Sequence, residues 1–247
     1  METIYIDINC DVGEGMGNER GLMPLISSCN IACGGHSGNF DSMSEVARLA
    51  KEHGVKVGAH PSYPDLENFG RLSMKLPKSN LIESIQNQIG GFKSILNKEN
   101  IPLHHIKAHG ALYNDIAIDK VLAETYLEAV ANYKDNVLLY VPFQSAIAEL
   151  ADQHDFQIKY EAFADRNYNA DLSLVSRKLP KAIIKNPDEV LKHLLCMVKE
   201  GRILTIDGDQ IRIRADTYCV HGDTPTALQI LNYLSEELPK ANIRIKK

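Results

Sequence analysis

Carboxylates, imidazoles and basic groups recur in this chain as short clusters, each following a β-rich run. They are Asn9-Cys10-Asp11 with Glu14, Asn30 with His36, His60-Pro61, Lys107-Ala108-His109-Gly110, Glu161 with Asp165-Arg166, and His221-Gly222-Asp223. Aspartate and histidine in one place supply general acid–base chemistry, and an ammonium or guanidinium beside them balances an anionic substrate or transition state. Lys107 lies inside an apolar run, where an unpaired ammonium is costly, so it requires a carboxylate partner or a ligand. Asp11 is a candidate general base or metal ligand. With two or more of His36, His60 and His109 it has the donor types of an O/N metal site, which spacing across separate segments leaves open. His53, His154 and His193 are embedded in helical patterns and read as structural or solvated.

Other chemistries find no support. Gly13, Gly15 and Gly17, and the pair Gly34-Gly35, form glycine-rich loops whose NH groups could hold an anion, but neither fits a phosphate-loop or dinucleotide fingerprint. There is no G-x-S-x-G elbow and no H-E-x-x-H. Five cysteines, an odd number without a C-x-x-C pair, read as buried reduced thiols, and neither Cys10 nor Cys33 has a sequence-local activator.

The elements that must position these clusters alternate. Strand candidates fall at 3–9, 27–32, 55–59, 103–108, 137–141, 157–162 and 217–220. Helical patterns occupy 41–52, 79–98, 119–132, 143–153, 187–199 and 226–238. Asp41 and Ser79 are expected to cap their helices, and Asn186-Pro187 fits an N-cap followed by a first turn. Strand–helix repetition implies a parallel sheet. In the first run Ile4, Ile6 and Ile8 alternate with Tyr5, Asp7 and Asn9, and Cys10 then faces away from Asp11. In the fourth, His105, Lys107 and His109 share one face. A central strand of an open α/β sheet is apolar on both faces, whereas a barrel strand can turn a polar face into the lumen, so a barrel is expected. Its active site belongs at the C-terminal strand ends, where the clusters lie. The segment 203–214, with Asp207-Gly208 between ILTI and IRIR, reads as a β-hairpin insertion in one domain spanning 1–247.

With 247 residues, 44% hydrophobic and 24% charged, a full core is possible. A net charge of −5 without a basic run beyond 244–247 argues against nucleic acid, and no apolar stretch approaches a membrane span. The opening METIYIDINC lacks the features of a signal peptide, so a cytoplasmic location is expected.

Several blocks taken together resemble the LamB/YcsF family, the A subunits of bacterial-type 5-oxoprolinases. They are Cys10-Asp11-Val12-Gly13-Glu14, Asn30-Ile31-Ala32-Cys33-Gly34 with His36, Gly58-Ala59-His60-Pro61, Phe69-Gly70-Arg71, Lys107 with His109-Gly110-Ala111-Leu112-Tyr113-Asn114, Phe163-Ala164-Asp165-Arg166, and Cys219-Val220-His221-Gly222-Asp223. The chain departs from the family pattern at Gly35, Ser37, Asn39, Leu72, Ala108 and Ser176. The resemblance implies a distorted seven-stranded (β/α) barrel of the glycoside hydrolase/deacetylase type. It implies ATP-dependent opening of 5-oxo-L-proline to L-glutamate, with ATP and Mg2+, in complex with B and C subunits. On it, the catalytic candidates are Asp11, His60, Lys107 and His109, and the substrate-binding candidates are Asn9, Asn30, His36, Asp165, Arg166 and His221. Two rival readings are a metal-dependent deacetylase or amidohydrolase of a small N-acyl compound, and a non-catalytic substrate-binding subunit.

Overall fold

The computed structural model describes residues 2–247. Its strands are β1 (Ile4–Ile6), β2 (Ile8–Val12), β3 (Ser28–Ala32), β4 (Lys56–His60), β5 (Leu103–Ile106), β6 (Leu138–Pro142), β7 (Ile158–Phe163), β8 (Arg202–Leu204), β9 (Gln210–Arg212), β10 (Thr217–His221) and β11 (Ile243–Ile245). Seven of them close a parallel barrel in the order β10-β2-β3-β4-β5-β6-β7, with helices outside, as the alternation predicts. The ring is uneven. Register shifts between Val57 and Gly58, and β5 meets β6 through only two residue pairs.

Both faces of β2 are buried, for different reasons. Ile8, Cys10 and Val12 belong to the apolar core, where burial is worth roughly 1.5–3 kcal/mol for each large side chain. Asp7, Asn9 and Asp11 take the alternate positions and bond to one another's partners in the lumen. Asp7 Oδ1 accepts from Thr217 Oγ1 at 2.6 Å and Ser28 Oγ at 2.9 Å. The Asn9 amide donates to Glu161 Oε1 and Thr217 Oγ1, both at 2.9 Å. Asn30 donates to Asn9 Oδ1 at 2.8 Å and Asp11 Oδ1 at 2.7 Å, while its own oxygen lies 2.7 Å from His105 Nε2. A buried polar network of this kind holds its members in one geometry because each lost bond leaves a desolvated group. Gly58 makes room for it, since a Cβ there would overlap the His105 ring.

The first strand differs from its sequence reading. The run at 3–9 is two strands, because the backbone changes partner at Asp7. The Ile6 carbonyl accepts from Lys246, beside the parallel β1–β11 pair, whereas the Asp7 carbonyl accepts from Tyr218 in the barrel. The helix Phe40–Glu52 is capped by Asn39 in a reciprocal box with Ser42, not by Asp41, and Lys78–Glu99 begins after Pro77 without a side-chain cap. Asn186 caps Pro187–Leu195 as expected, accepting from the Asp188 and Glu189 amides. The helix Gly110–Ile118 starts directly after His109 and lacks the amphipathic periodicity by which sequence reading finds helices. Strands β8 and β9 pair antiparallel. The five cysteines are free, four of them buried. Among the described residues no helix is long and apolar enough to cross a membrane.

Candidate active site

The C-terminal ends of β2, β4, β7 and β10 and the segment after β5 converge on one ammonium. Lys107 Nζ lies 2.9 Å from Asp11 Oδ1, 2.9 Å from Glu161 Oε1 and 3.2 Å from Cys219 Sγ. Of its three protons, Asp11 Oδ1 and Cys219 Sγ accept two, and Glu161 Oε1 adds a close charge contact. Burial works against the charge, but Asp11 foremost, with Glu161 behind it, holds the Lys107 pKa well above its ordinary value. Burial likewise opposes ionisation of Asp11, yet the Lys107 ammonium bonded to Oδ1 pulls its carboxyl well below the usual range. Asp11 is therefore an ionised carboxylate at neutral pH, with Oδ1 occupied by Lys107 and Asn30 and Oδ2 3.4 Å from His60 Nε2.

Three histidines stand beside it. His60 Nδ1 lies 2.8 Å from the Lys107 carbonyl and His109 Nε2 3.0 Å from the Phe69 carbonyl. A carbonyl only accepts, so each of those nitrogens carries the proton. The opposite nitrogens, His60 Nε2 and His109 Nδ1, then face each other at 3.0 Å as two lone pairs. That approach is repulsive unless a proton or a cation lies between them. Glu14 Oε1 is 3.4 Å from His109 Nδ1 and 3.1 Å from His36 Nε2, and the His36 and His109 rings stack at 3.5 Å. One donor atom from each of Glu14, His36, His60 and His109 lies within 4.8 Å of the others, and His36 Nδ1 is buried without a partner. The donor set fits a divalent ion of the zinc or manganese type, with the far nitrogens of His60 and His109 fixed by carbonyls. The carboxylate in the set is Glu14. Asp11 lies on its flank, grouped instead with Cys219 and His221.

Asp165 and His221 form a second unit. His221 donates its backbone NH to Asp165 Oδ2 and its ring Nδ1 proton to Asp165 Oδ1, both at 2.9 Å. Burial pushes Asp165 up, but the His221 charge and these bonds outweigh it and bring the carboxyl below its usual range. The ring stacks on Phe163, and donor atoms of His221 and Asp11 lie within 4.8 Å of each other.

Of the residues expected from sequence, Asp11, His36, His60, Lys107, His109, Asp165 and His221 come together at this mouth. Asn9 and Asn30 lie beneath it, where they hold Glu161 and Asp11. Arg166 spends Nε on the Ala182 carbonyl and Nη2 on the Val175 carbonyl, organising the loop that follows β7. Glu14, Glu161, His105 and Cys219 were not among the site candidates. The first two belonged to the strand-end clusters, but their partners are distant in the chain.

The buried imidazoles make a pH prediction. Burial foremost holds His36 down to about 2, His104 and His193 down to about 4, and His105 and His109 well below the ordinary value. In the unfolded chain each titrates near ~6.5. Their contribution is complete above that pH and is lost as pH falls, because the unfolded state then binds protons the native state refuses. The cost is about 1.4 kcal/mol per ring for each pH unit. Glu14, raised well above its usual range by burial and then by Asp11, acts in the opposite sense and offsets one ring. Urea denaturation of chelator-treated protein between pH 7 and 5 should show a steep fall in midpoint. A flat midpoint would mean the rings protonate in the native state.

A parallel seven-stranded βα barrel with acid–base groups and a metal-type donor set at its C-terminal mouth defines the class of protein. The chain belongs to the LamB/YcsF family, whose profile matches residues 6–247. It is 41% identical over 245 residues to the A subunit of 5-oxoprolinase from Thermococcus sibiricus, covering 97% of this chain and 96% of that one. It is 39% identical over 240 residues to the protein of that name from Haemophilus influenzae strain PittEE, covering 97% and 98%. Among solved structures, a lactam utilization protein from Thermus thermophilus superposes with a TM-score of 0.91 at 36% identity, over 98% of this chain and 99% of that one. A T48 deacetylase solved with substrate shares the barrel, with a TM-score of 0.50 at 12% identity over 99% and 88% of the two chains.

Proposed function

We propose that this chain is the A subunit of an ATP-dependent 5-oxoprolinase, opening 5-oxo-L-proline to L-glutamate together with B and C subunits. The observation that carries the reading is the pairing, within 4.8 Å, of an ionised Asp11 with a His221 oriented by Asp165. A carboxylate base and an imidazole acid flanking one gap suit cleavage of an amide C–N bond. The names of the full-length relatives supply the lactam and the subunit role. Five cysteines, an odd number without a C-x-x-C pair, suit a reducing, cytoplasmic compartment.

In this reading Asp11 accepts a proton from water as the water oxygen bonds to the lactam carbon. The C–N bond breaks, and His221 gives its proton to the departing nitrogen, leaving an amine and a carboxylic acid. Lys107 keeps Asp11 ionised and fixed. Glu14, His36, His60 and His109 would hold a divalent ion, which when bound supplies electrophilic polarisation of a carbonyl oxygen. ATP, with Mg2+, would activate the resonance-stabilised amide beforehand by passing its γ-phosphoryl to the lactam oxygen and leaving as ADP; after ring opening that phosphoryl group goes to a second water, so the products are the carboxylic acid and phosphate.

The test is co-expression with the B and C partners, following 5-oxoproline loss with and without ATP. Loss is expected only with ATP and the full assembly. ATP-independent turnover by this chain alone would overturn the reading. It would favour a metal-dependent amidohydrolase of a small N-acyl compound, the second reading that the histidine cluster supports. Metal analysis after loading with Zn2+ or Mn2+ should find about one equivalent in the wild type. His60→Ala and His109→Ala should each retain less than about a tenth of that, since loss of a ligand exposes the metal to exchange.

A further inference from the structure

At the rim of the barrel three βα loops meet in a group that the chemistry above does not use. Arg71 follows β4, Arg177 follows β7 and Asp223 follows β10. The Arg71 guanidinium pairs with Asp223 Oδ2, and Arg177 Nη1 lies 3.5 Å from the same oxygen. Asp223 Oδ1 is buried and has no partner. One carboxylate balances one of the two cations, so the group keeps a net positive charge. Both guanidiniums also stay open to solvent, with side-chain exposures of 42% and 29%.

The group is anchored to the site itself. Arg71 lies over the Phe69 ring, 4.8 Å from its centroid, and that ring packs edge-on against His36 and His109. Gly70, at φ +62°, is pressed against His109, His36 and Ser62. On the other side Gly222 leaves no space for a side chain against the Asp11 carbonyl and Cys10. Both glycines therefore fix the backbone that carries Arg71 and Asp223. Behind them Arg166 is buried with its guanidinium on the Ala182 and Val175 carbonyls, adding a third cation to the group.

We propose that Arg71 and Arg177 form the subsite for the carboxylate of the amide substrate, with Asp223 holding both guanidiniums in register until the substrate arrives. The inference rests on the lactam reading for the identity of the substrate. In 5-oxoproline the carboxylate is borne by the carbon bonded to the lactam nitrogen. The proposed proton donor to that nitrogen is His221, two residues before Asp223, so the anion site falls beside the atom that must be protonated. A forked guanidinium pair matches a carboxylate bidentately, which a lysine cannot.

The test measures equilibrium binding to the full chain assembled with its partner subunits. The probes are 5-oxoproline, 2-pyrrolidinone (the same ring without the carboxylate), N-acetylglycine and inorganic phosphate. Arg71→Gln/Arg177→Gln is expected to weaken 5-oxoproline binding by about 30-fold or more, with Arg71→Lys intermediate, and to leave 2-pyrrolidinone within about twofold of wild type. Unchanged 5-oxoproline affinity in the double variant overturns the subsite while the lactam reading stands. Arginine-dependent binding of N-acetylglycine with none of 5-oxoproline supports the subsite and sinks the lactam reading. Overturning results are tighter arginine-dependent binding of phosphate than of either acid, and a lack of arginine-dependent binding by any probe. Should the double variant misfold, Arg177→Gln alone, whose arginine makes the longer contact, carries the same comparison.

Discussion

Exchanging Lys107 for Met is expected to lower the unfolding free energy by about 3–5 kcal/mol. The ammonium lies in the lumen with two carboxylate oxygens, Asp11 Oδ1 and Glu161 Oε1, each at 2.9 Å, and all three side chains are buried. Methionine fills much the same volume, so the loss is electrostatic and not a cavity. What remains is two buried carboxylates with only the Asn30 and Asn9 amides bonded to them and His60 3.4 Å from Asp11 Oδ2. A double variant, Lys107→Met/Glu161→Gln, should recover a large part of the loss, because one of the unpaired charges is gone. Arginine should not rescue, since its planar fork has no room where Lys107 is 2% exposed.

The pH dependence separates this from simple misfolding. Asp11 has a depressed folded pKa, so its contribution is present above the unfolded carboxylate value and is lost as pH falls through the folded one. The gap between wild type and Lys107→Met should therefore be widest near pH 7 and narrow in acid, where protonated carboxyls no longer need a cation. Urea midpoints measured at pH 7 and at about pH 2.5, below the unfolded carboxylate value of about 3.9, check it. Equal destabilisation at both would mean that the charge pairs contribute nothing.

The polar lumen was legible because strand alternation is a local property. Asp7, Asn9 and Asp11 are two residues apart, and so are His105, Lys107 and His109, which places each set on one face whatever the rest of the chain does. The choice of a closed barrel followed from the same fact. The identity of the partners did not, because it is set by register between strands. Lys107 meets Asp11 from 96 positions away, and Asn9 meets Glu161 from 152. From sequence Glu161 reads as any carboxylate at a strand end, and only the pairing of β7 with β10, beside β2, brings it to Lys107.

The metal-type set shows the same limit. The three histidines could be named from sequence, yet the carboxylate among them is Glu14, beyond the end of β2, and not Asp11 within it. A loop with Gly13 at φ +73° and Gly15 at φ +82° sets that position, and alternation says nothing about loops. The break at Asp7 escaped for a related reason. The side-chain pattern runs through it unbroken, and only the backbone partner changes, from Lys246 to Tyr218. Asp41, expected as the cap, and Asn39, which is the cap, are both good N-cap residues. The reciprocal bond from Ser42 decides between them.

Replacing Asp11 by Asn should abolish turnover of the assembled enzyme, with kcat falling by about a thousandfold or more, while the chain stays folded. The substitution keeps the shape of the side chain, and the amide oxygen can still accept from Lys107 Nζ and Asn30 Nδ2, which contact Oδ1 at 2.9 Å and 2.7 Å. It removes the one property the mechanism needs at this atom, the capacity to take a proton from water. Stability should drop less than in Lys107→Met, because the cation keeps Glu161 as a charged partner. The two variants therefore separate folding from chemistry at a single ion pair. In the wild type the low Asp11 pKa should keep the acid limb of kcat/KM below the ordinary carboxylate range, so activity lost on that limb reports Asp11 protonation. His221→Ala should cost a comparable factor but act on the other proton transfer, so a substrate with a better leaving nitrogen should restore His221→Ala far more than Asp11→Asn. Rates are read as single turnovers of 5-oxoproline with ATP in excess. If Asp11→Asn retained more than about a tenth of the wild-type rate, the base would have to be sought among the histidines, with His60, 3.4 Å from Asp11 Oδ2, the next group in line.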